Sequence, residues 1–242
     1  MRKILFLLIF ACGAAEASSS GGFGVAVLVN DDARPEYAAR GNVYVEAIRG
    51  ANYSLRLTNP MPYRVAVALS VDGLNSIDAR HTDSLTAAKW VLEPYESTVI
   101  SGWQVNDRTA RRFFFTNEDN SYGAALGQTE NLGVIEAVFY RERPRRVQAL
   151  SPNAKKSAPP AAPSAGAAAQ ADDYAATGMG DRTRHDVEMV HLDLEKVPVA
   201  IMRIRYEFRP QLVRLGVLPP IESPLERREH ARGFEAYCPE PR

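Results

Sequence analysis

Large apolar side chains fall at every second position through much of this chain. Val43, Val45 and Ala47 alternate with Tyr44, Glu46 and Ile48, and Tyr53, Leu55 and Leu57 alternate with Ser54, Arg56 and Thr58. A period of two places successive side chains on opposite faces of a strand, so each run predicts a strand with one buried face. Asn59-Pro60-Met61-Pro62 ends the second run, because proline has no N–H for a ladder and restricts the residue before it. The next run is bulky on one side (Tyr63, Val65, Val67, Leu69, Val71) and mostly small on the other (Arg64, Ala66, Ala68, Ser70), the signature of a central strand covered on both faces. Asp72-Gly73 then predicts a tight turn. Further strands are predicted over Lys89–Leu92, Ser97–Ile100, Arg111–Thr116 and Gly133–Arg141, with Phe113 and Phe115 on one face and Phe114 on the other. No long helical period occurs before residue 150.

Beyond that core the pattern changes. Residues 18–41 are Ser/Gly-rich and then mixed, and predict a flexible leader with a short strand at Val25–Val29. Residues 42–150 form the expected β domain. Residues 151–182 are dominated by Ala, Pro, Gly and Ser, which cannot bury enough surface to offset the entropy of ordering, so a disordered linker is expected there. Residues 183–242 predict two more strands, one carrying Val190, Leu192 and Leu194 and one carrying Met202, Ile204, Tyr206 and Phe208. These would complete the first domain's sheet. A short helical turn is expected over Pro210–Val217, and the capping box Ser223-Pro224-Leu225-Glu226 opens a short C-terminal helix ending at Gly233. The fold class is therefore mainly β: an antiparallel β-sandwich-like domain with a disordered Ala/Pro-rich insertion and a short C-terminal helix.

The chain has 242 residues, enough for one sizeable domain, and its 29 basic and 29 acidic side chains cancel. That balance provides no global field for nucleic acid, and none is expected as a partner. Arg2-Lys3, the apolar run ILFLLIFA and Ala15-Glu16-Ala17 read as a signal peptide over residues 1–17, cleaved before Ser18. The apolar run is far shorter than the roughly 20 residues a transmembrane helix needs. The expected location is thus periplasmic or secreted. Ala11-Cys12-Gly13 resembles a loose lipoprotein box, which offers Cys12 as an alternative lipid anchor. Cleavage after Ala17 would leave Cys238 as the single thiol, with no internal disulfide and no cysteine-based zinc site.

Catalytic signatures are missing: no G-x-S-x-G elbow, no H-E-x-x-H, no P-loop and no dinucleotide fingerprint. No catalytic residue, metal site or cofactor is assigned. Acidic and amide residues gather after the central strand, where Asp72, Asn75 and Asp78 are candidate ligand-binding residues beside His81; their spacing does not match an EF-hand. The bland alternative is that they form the turn. Trp103 and Tyr95 are candidate platforms for a sugar ring. Glu118, in the acidic loop after Phe115, is the other carboxylate that a hydrolase reading would use.

The stretches 69-LSVDGLN-75, 92-LEPYEST-98 running into 101-SGW-103, 113-FFFTNEDNSY-122 and 131-NLGVIEAVFYRE-142 together resemble a family of uncharacterised exported bacterial proteins. The resemblance covers the segment from Asn42 to Arg141. It implies export and a β fold and carries no activity. The expectation is a non-enzymatic envelope or secreted binding protein, its partner an envelope protein or a glycan. A carbohydrate-binding or calcium-dependent module, or a carboxylate-based hydrolase, stands as the alternative.

Overall fold

A computed structural model describes residues 18–143, 173–220 and Arg228. The signal segment with Cys12, residues 151–172 of the expected linker, Cys238 and all of the expected C-terminal helix but Arg228 lie outside the described residues. In chain order the first strands are β1 (Ser18–Ser20), β2 (Phe23–Val29), β3 (Asp32–Ala33), β4 (Glu36–Ala39), β5 (Asn42–Ala47), β6 (Asn52–Thr58), β7 (Val65–Val71) and β8 (Leu74–Asn75). They are followed by β9 (Trp90–Leu92), β10 (Ser97–Ile100), β11 (Gly102–Gln104), β12 (Thr109–Asn117), β13 (Val134–Arg141), β14 (Ala175–Arg184) and β15 (Ala200–Phe208). The short helices α1 (Tyr122–Ala125) and α2 (Arg209–Arg214) accompany them.

These strands make a β-sandwich. Sheet 1 runs β1-β2-β6-β12, with β3 beside β2, β10 beside β6, and β11 and β14 beside β12. Sheet 2 runs β4-β5-β15-β13-β7-β8, with β9 also beside β7. Every pairing is antiparallel except β5 with β15, which is parallel. The alternation in sequence explains which side faces in. Val65, Val67, Leu69 and Val71 of β7 join Val25, Val27, Leu55 and Leu57 of sheet 1 in one core. Each such side chain contributes about 1.5–3 kcal/mol on full burial. One end of the core is aromatic: Tyr53 stacks on Phe115 with centroids 4.2 Å apart, and Trp103 meets Phe113 edge-on at 5.1 Å. Phe113 and Phe115 are buried in this core while Phe114 lies outside it.

Three expectations need correction. Residues 18–41 are not a flexible leader: β2 is buried along its whole length and pairs with β6, so the short strand expected at Val25–Val29 is an integral part of sheet 1. Residues 173–182 do not belong to a linker, because β14 runs from Ala175 to Arg184 against β12. The strand's glycines are small because the Phe114 ring lies across them. A Cβ on Gly178 would sit 2.3 Å from the Phe114 ring, and the Trp103 indole N–H donates to the Gly178 carbonyl at 3.3 Å. Finally, Val190, Leu192 and Leu194 do not form a strand. This stretch carries the chain from sheet 1 to sheet 2, so it meets only an isolated bridge, Glu142 to Leu194, instead of a ladder. The strand after it begins at Ala200 and lies in the middle of sheet 2, between β13 and β5.

The outer face of sheet 2 is covered at two places. Leu212 of α2 and Leu218 pack on Tyr44, and Ala87 and Leu194 pack on Ala68, Val138 and Tyr140.

Candidate functional site

Asp72 and Gly73 are the two central residues of the β7–β8 hairpin, whose flanking pair is Val71 and Leu74. Their φ angles are +53° and +76°, the left-handed pair that a two-residue hairpin turn demands and that Asp-Gly adopts readily. The turn aims the Asp72 side chain into the sandwich, where the residue is only 2% exposed. Its Oδ1 accepts from the Gly133 N–H at 2.8 Å and from the Tyr206 hydroxyl, and its Oδ2 accepts from the Thr177 N–H at 2.7 Å.

The hydroxyls behind it form a directed chain. Since Tyr206 gives its proton to Asp72, the Thr177 hydroxyl, 2.6 Å away, must donate to Tyr206. Tyr53, at 2.7 Å, must then donate to Thr177. Burial pushes the Asp72 carboxyl up to about 6, against the opposing pull of the Tyr206 hydroxyl and of three backbone N–H groups. Burial and the nearby carboxylate drive both tyrosine hydroxyls well above their ordinary value, so they remain protonated donors.

Asp72 also protects a sheet edge. Thr177 and Ala175 lie on β14, and their N–H groups point away from β12. Asp72 takes the first and Glu207 of β15 takes the second at 3.1 Å. Carboxylates of sheet 2 thus satisfy the edge donors of sheet 1, which would otherwise template a further strand. Replacing Tyr206 by phenylalanine deletes the one hydroxyl that links Asp72 to Thr177. Chemical denaturation should show a loss of about 1–2 kcal/mol. An unchanged midpoint would mean that the hydroxyl chain contributes nothing to the fold.

The other residues expected at a ligand site do not gather around Asp72. Asn75 is buried, its amide donating to the Ala88 carbonyl at 2.8 Å while its Oδ1 accepts from the Ile77 N–H at 2.8 Å. Asp78 is exposed and accepts from the Arg80 N–H at 3.1 Å, as an Asx turn does. Trp103 is 2% exposed, which removes it as a sugar platform. Tyr95 is 70% exposed, on the turn between β9 and β10. Glu118 is raised by partial burial and by Asp119 rather than by Asp72. Among the described residues no group of three or more His, Cys, Asp or Glu side chains is placed to hold a metal ion.

A different site emerges on the outer face of sheet 2. Between its two covered ends lies a groove of about 390 Å³. Its floor comes from outward positions of three neighbouring strands: Ala68 and Ser70 of β7, Val134 and Glu136 of β13, Arg203 and Arg205 of β15. The ladder sets these side by side, Ser70 opposite Glu136 and Glu136 opposite Arg203. The small side of β7, legible in the sequence, is what makes the floor low. One wall is the loop after β8, carrying Arg80, His81 and Thr82. His81 Nδ1 lies 3.0 Å from the Gly73 carbonyl, which can only accept, so Nδ1 carries the proton and Nε2 is left as the other nitrogen. The loop itself is fixed by Asn75, whose N–H donates to the Arg80 carbonyl at 3.1 Å. Asn75 therefore shapes the wall from behind, through the backbone. Sequence reasoning missed Arg80, Glu136, Arg203 and Arg205; the signal available was the charged face of the strand that alternates with Met202, Ile204 and Tyr206.

Comparison of the chain with protein-family models, with curated proteins and with solved structures finds no match.

Proposed function

We propose that this chain is an exported bacterial binding protein without enzymatic activity, and that its ligand seat is the groove on the outer face of sheet 2. The groove carries the reading. Sheet 2 is packed over at two places by apolar side chains, and between them its floor is small, polar and open, a concave surface with few elements above it. Two further observations support it. Asp72, the most perturbed carboxyl, is held by three donors on the inside of the sandwich, where a substrate has no access. Export is supported by the sequence itself, where Arg2-Lys3, the apolar run ILFLLIFA and the A-x-A site Ala15-Glu16-Ala17 precede Ser18. Among the described residues no helix is long and apolar enough to cross a membrane. The partner is an envelope component, protein or glycan.

Isotope-labelled protein titrated with fragments of bacterial envelope polymers tests the assignment. The amides of Ser70, Arg80, Glu136 and Arg203 should shift together. Shifts confined to the Tyr95 turn on the β9–β10 connection would move the ligand seat elsewhere.

A further inference from the structure

The charges in the groove are unevenly spent, and this says what it binds. Three guanidinium groups line it, those of Arg80, Arg203 and Arg205, against one carboxylate, Glu136. Glu136 is already engaged: it sits opposite Arg203 in the ladder and accepts from its Nη2 at 2.6 Å. The residues paired directly with Arg205 are not acids: they are Val134 on β13 and Tyr44 on β5. Its Nε donates to the neutral Asn42 Oδ1 at 3.1 Å, which orients the guanidinium, and among the described residues it makes no ion pair. Arg80 is held through its backbone, by Asp78 and Asn75, and its exposed side chain makes no ion pair among the described residues. A chain whose 29 basic and 29 acidic groups cancel overall thus concentrates surplus positive charge in its groove, on one floor residue and one wall residue.

Resting on the groove as ligand seat, we infer that the ligand is a short acidic saccharide, its oxyanion taken by Arg80 and Arg205. A planar guanidinium fork matches the two oxygens of a carboxylate, sulfate or phosphate, and such bonds are the strong ones among hydrogen bonds. The rest of the lining fits hydroxyls: Ser70, Thr82, Ser84 and Asn131 are neutral donors and acceptors. Among the described residues no Phe, Tyr or Trp lines the groove, so recognition proceeds by hydrogen bonds and charge and not by stacking on a large ring.

The test is calorimetric titration of the full chain with a galacturonate trisaccharide, the matching neutral galactose trisaccharide, inorganic sulfate and an aspartate-rich peptide, at low and at physiological salt. The acidic saccharide should bind, more weakly as salt rises, and Arg80→Ala and Arg205→Ala should each weaken it by about tenfold or more. Arg203→Ala, whose charge Glu136 already compensates, should weaken it less. Unfolding curves for each variant show that the fold is intact; Arg80, on an exposed loop, keeps the test open should a β15 variant not fold. Equal binding of the neutral sugar would overturn the charge inference and leave the groove standing. Binding of the peptide alone would overturn the saccharide. Binding of free sulfate as tight as that of the saccharide would reduce the site to a simple anion hole and overturn it too. If every probe fails to shift the groove residues, the groove reading itself falls.

Discussion

Replacing Asp72 by alanine is expected to cost about 4 kcal/mol of unfolding free energy near pH 5, as measured by urea denaturation. The change strands three buried donors at once, the Gly133 N–H, the Thr177 N–H and the Tyr206 hydroxyl. It also forces an alanine into a φ of +53°, which carries a penalty of about 1 kcal/mol. A loss below about 1 kcal/mol would contradict the assignment of Asp72 as the clamp of the sandwich.

The same residue sets a pH dependence with a definite sign. The Asp72 carboxyl is raised from 3.8 to about 6 on folding. The native state therefore binds a proton more readily than the unfolded chain, so this stabilising contribution is complete below about pH 4 and disappears as pH rises through 6. Its full size is about 3 kcal/mol. The penalty of Asp72→Ala should accordingly shrink by about 1 kcal/mol or more between pH 5 and pH 7.5. Asp72→Asn, which keeps the left-handed turn and does not titrate, should lose that pH term while destabilising less. A variant with the wild-type pH profile would assign the effect to another group.

Gly102→Ala should be comparably damaging, for a steric reason. A Cβ at Gly102 would lie 1.9 Å from the Arg111 carbonyl oxygen and 2.9 Å from the Arg112 Cα. Both are backbone atoms of β12, so no side chain can swing aside, and β11 must separate from its partner. Trp103 is the next residue and would leave its place against Phe113 and the Gly178 carbonyl. A loss of about 3 kcal/mol or more is expected, visible as a fall in the denaturation midpoint and as exposure of the Trp103 indole in fluorescence. Gly24→Ala is the control: its Cβ would meet the Thr58 Cβ at 3.4 Å, an ordinary contact, and should change stability by about 1 kcal/mol at most. Equal effects at the two positions would mean that the Gly102 contact is not the cause.

What was legible in the sequence followed from local rules. Period-two alternation located β5, β6, β7, β10, β12, β13 and β15 to within a few residues, because bulky positions alternate with small or polar ones and the pattern is written along the strand itself. The Asp72-Gly73 turn was legible for the same reason. β14 was not. Its burial is provided by the Phe114 and Trp103 rings that lie on it, so its own composition is that of a linker. The fate of the Asp72 side chain was illegible too, since its donors lie 61, 105 and 134 residues away. The groove falls between these cases. The small face of β7 and the arginine face of β15 are both written in the chain, but only the ladder through β13 sets them side by side. Trp103 misled because a tryptophan in a turn-rich stretch resembles a platform, when the glycine before it is what lets it sink beside β12.

The position of β15 fixes when the molecule can form. It enters the middle of sheet 2 from the last fifth of the chain, and β14 just before it completes sheet 1. Sheet 1 lacks β14 until Arg184 is available and sheet 2 lacks β15 until Phe208 is, so a chain emerging from its N-terminus holds no finished sandwich before then. Until then the gap between β13 and β5 stays open, and the polypeptide stays threadable.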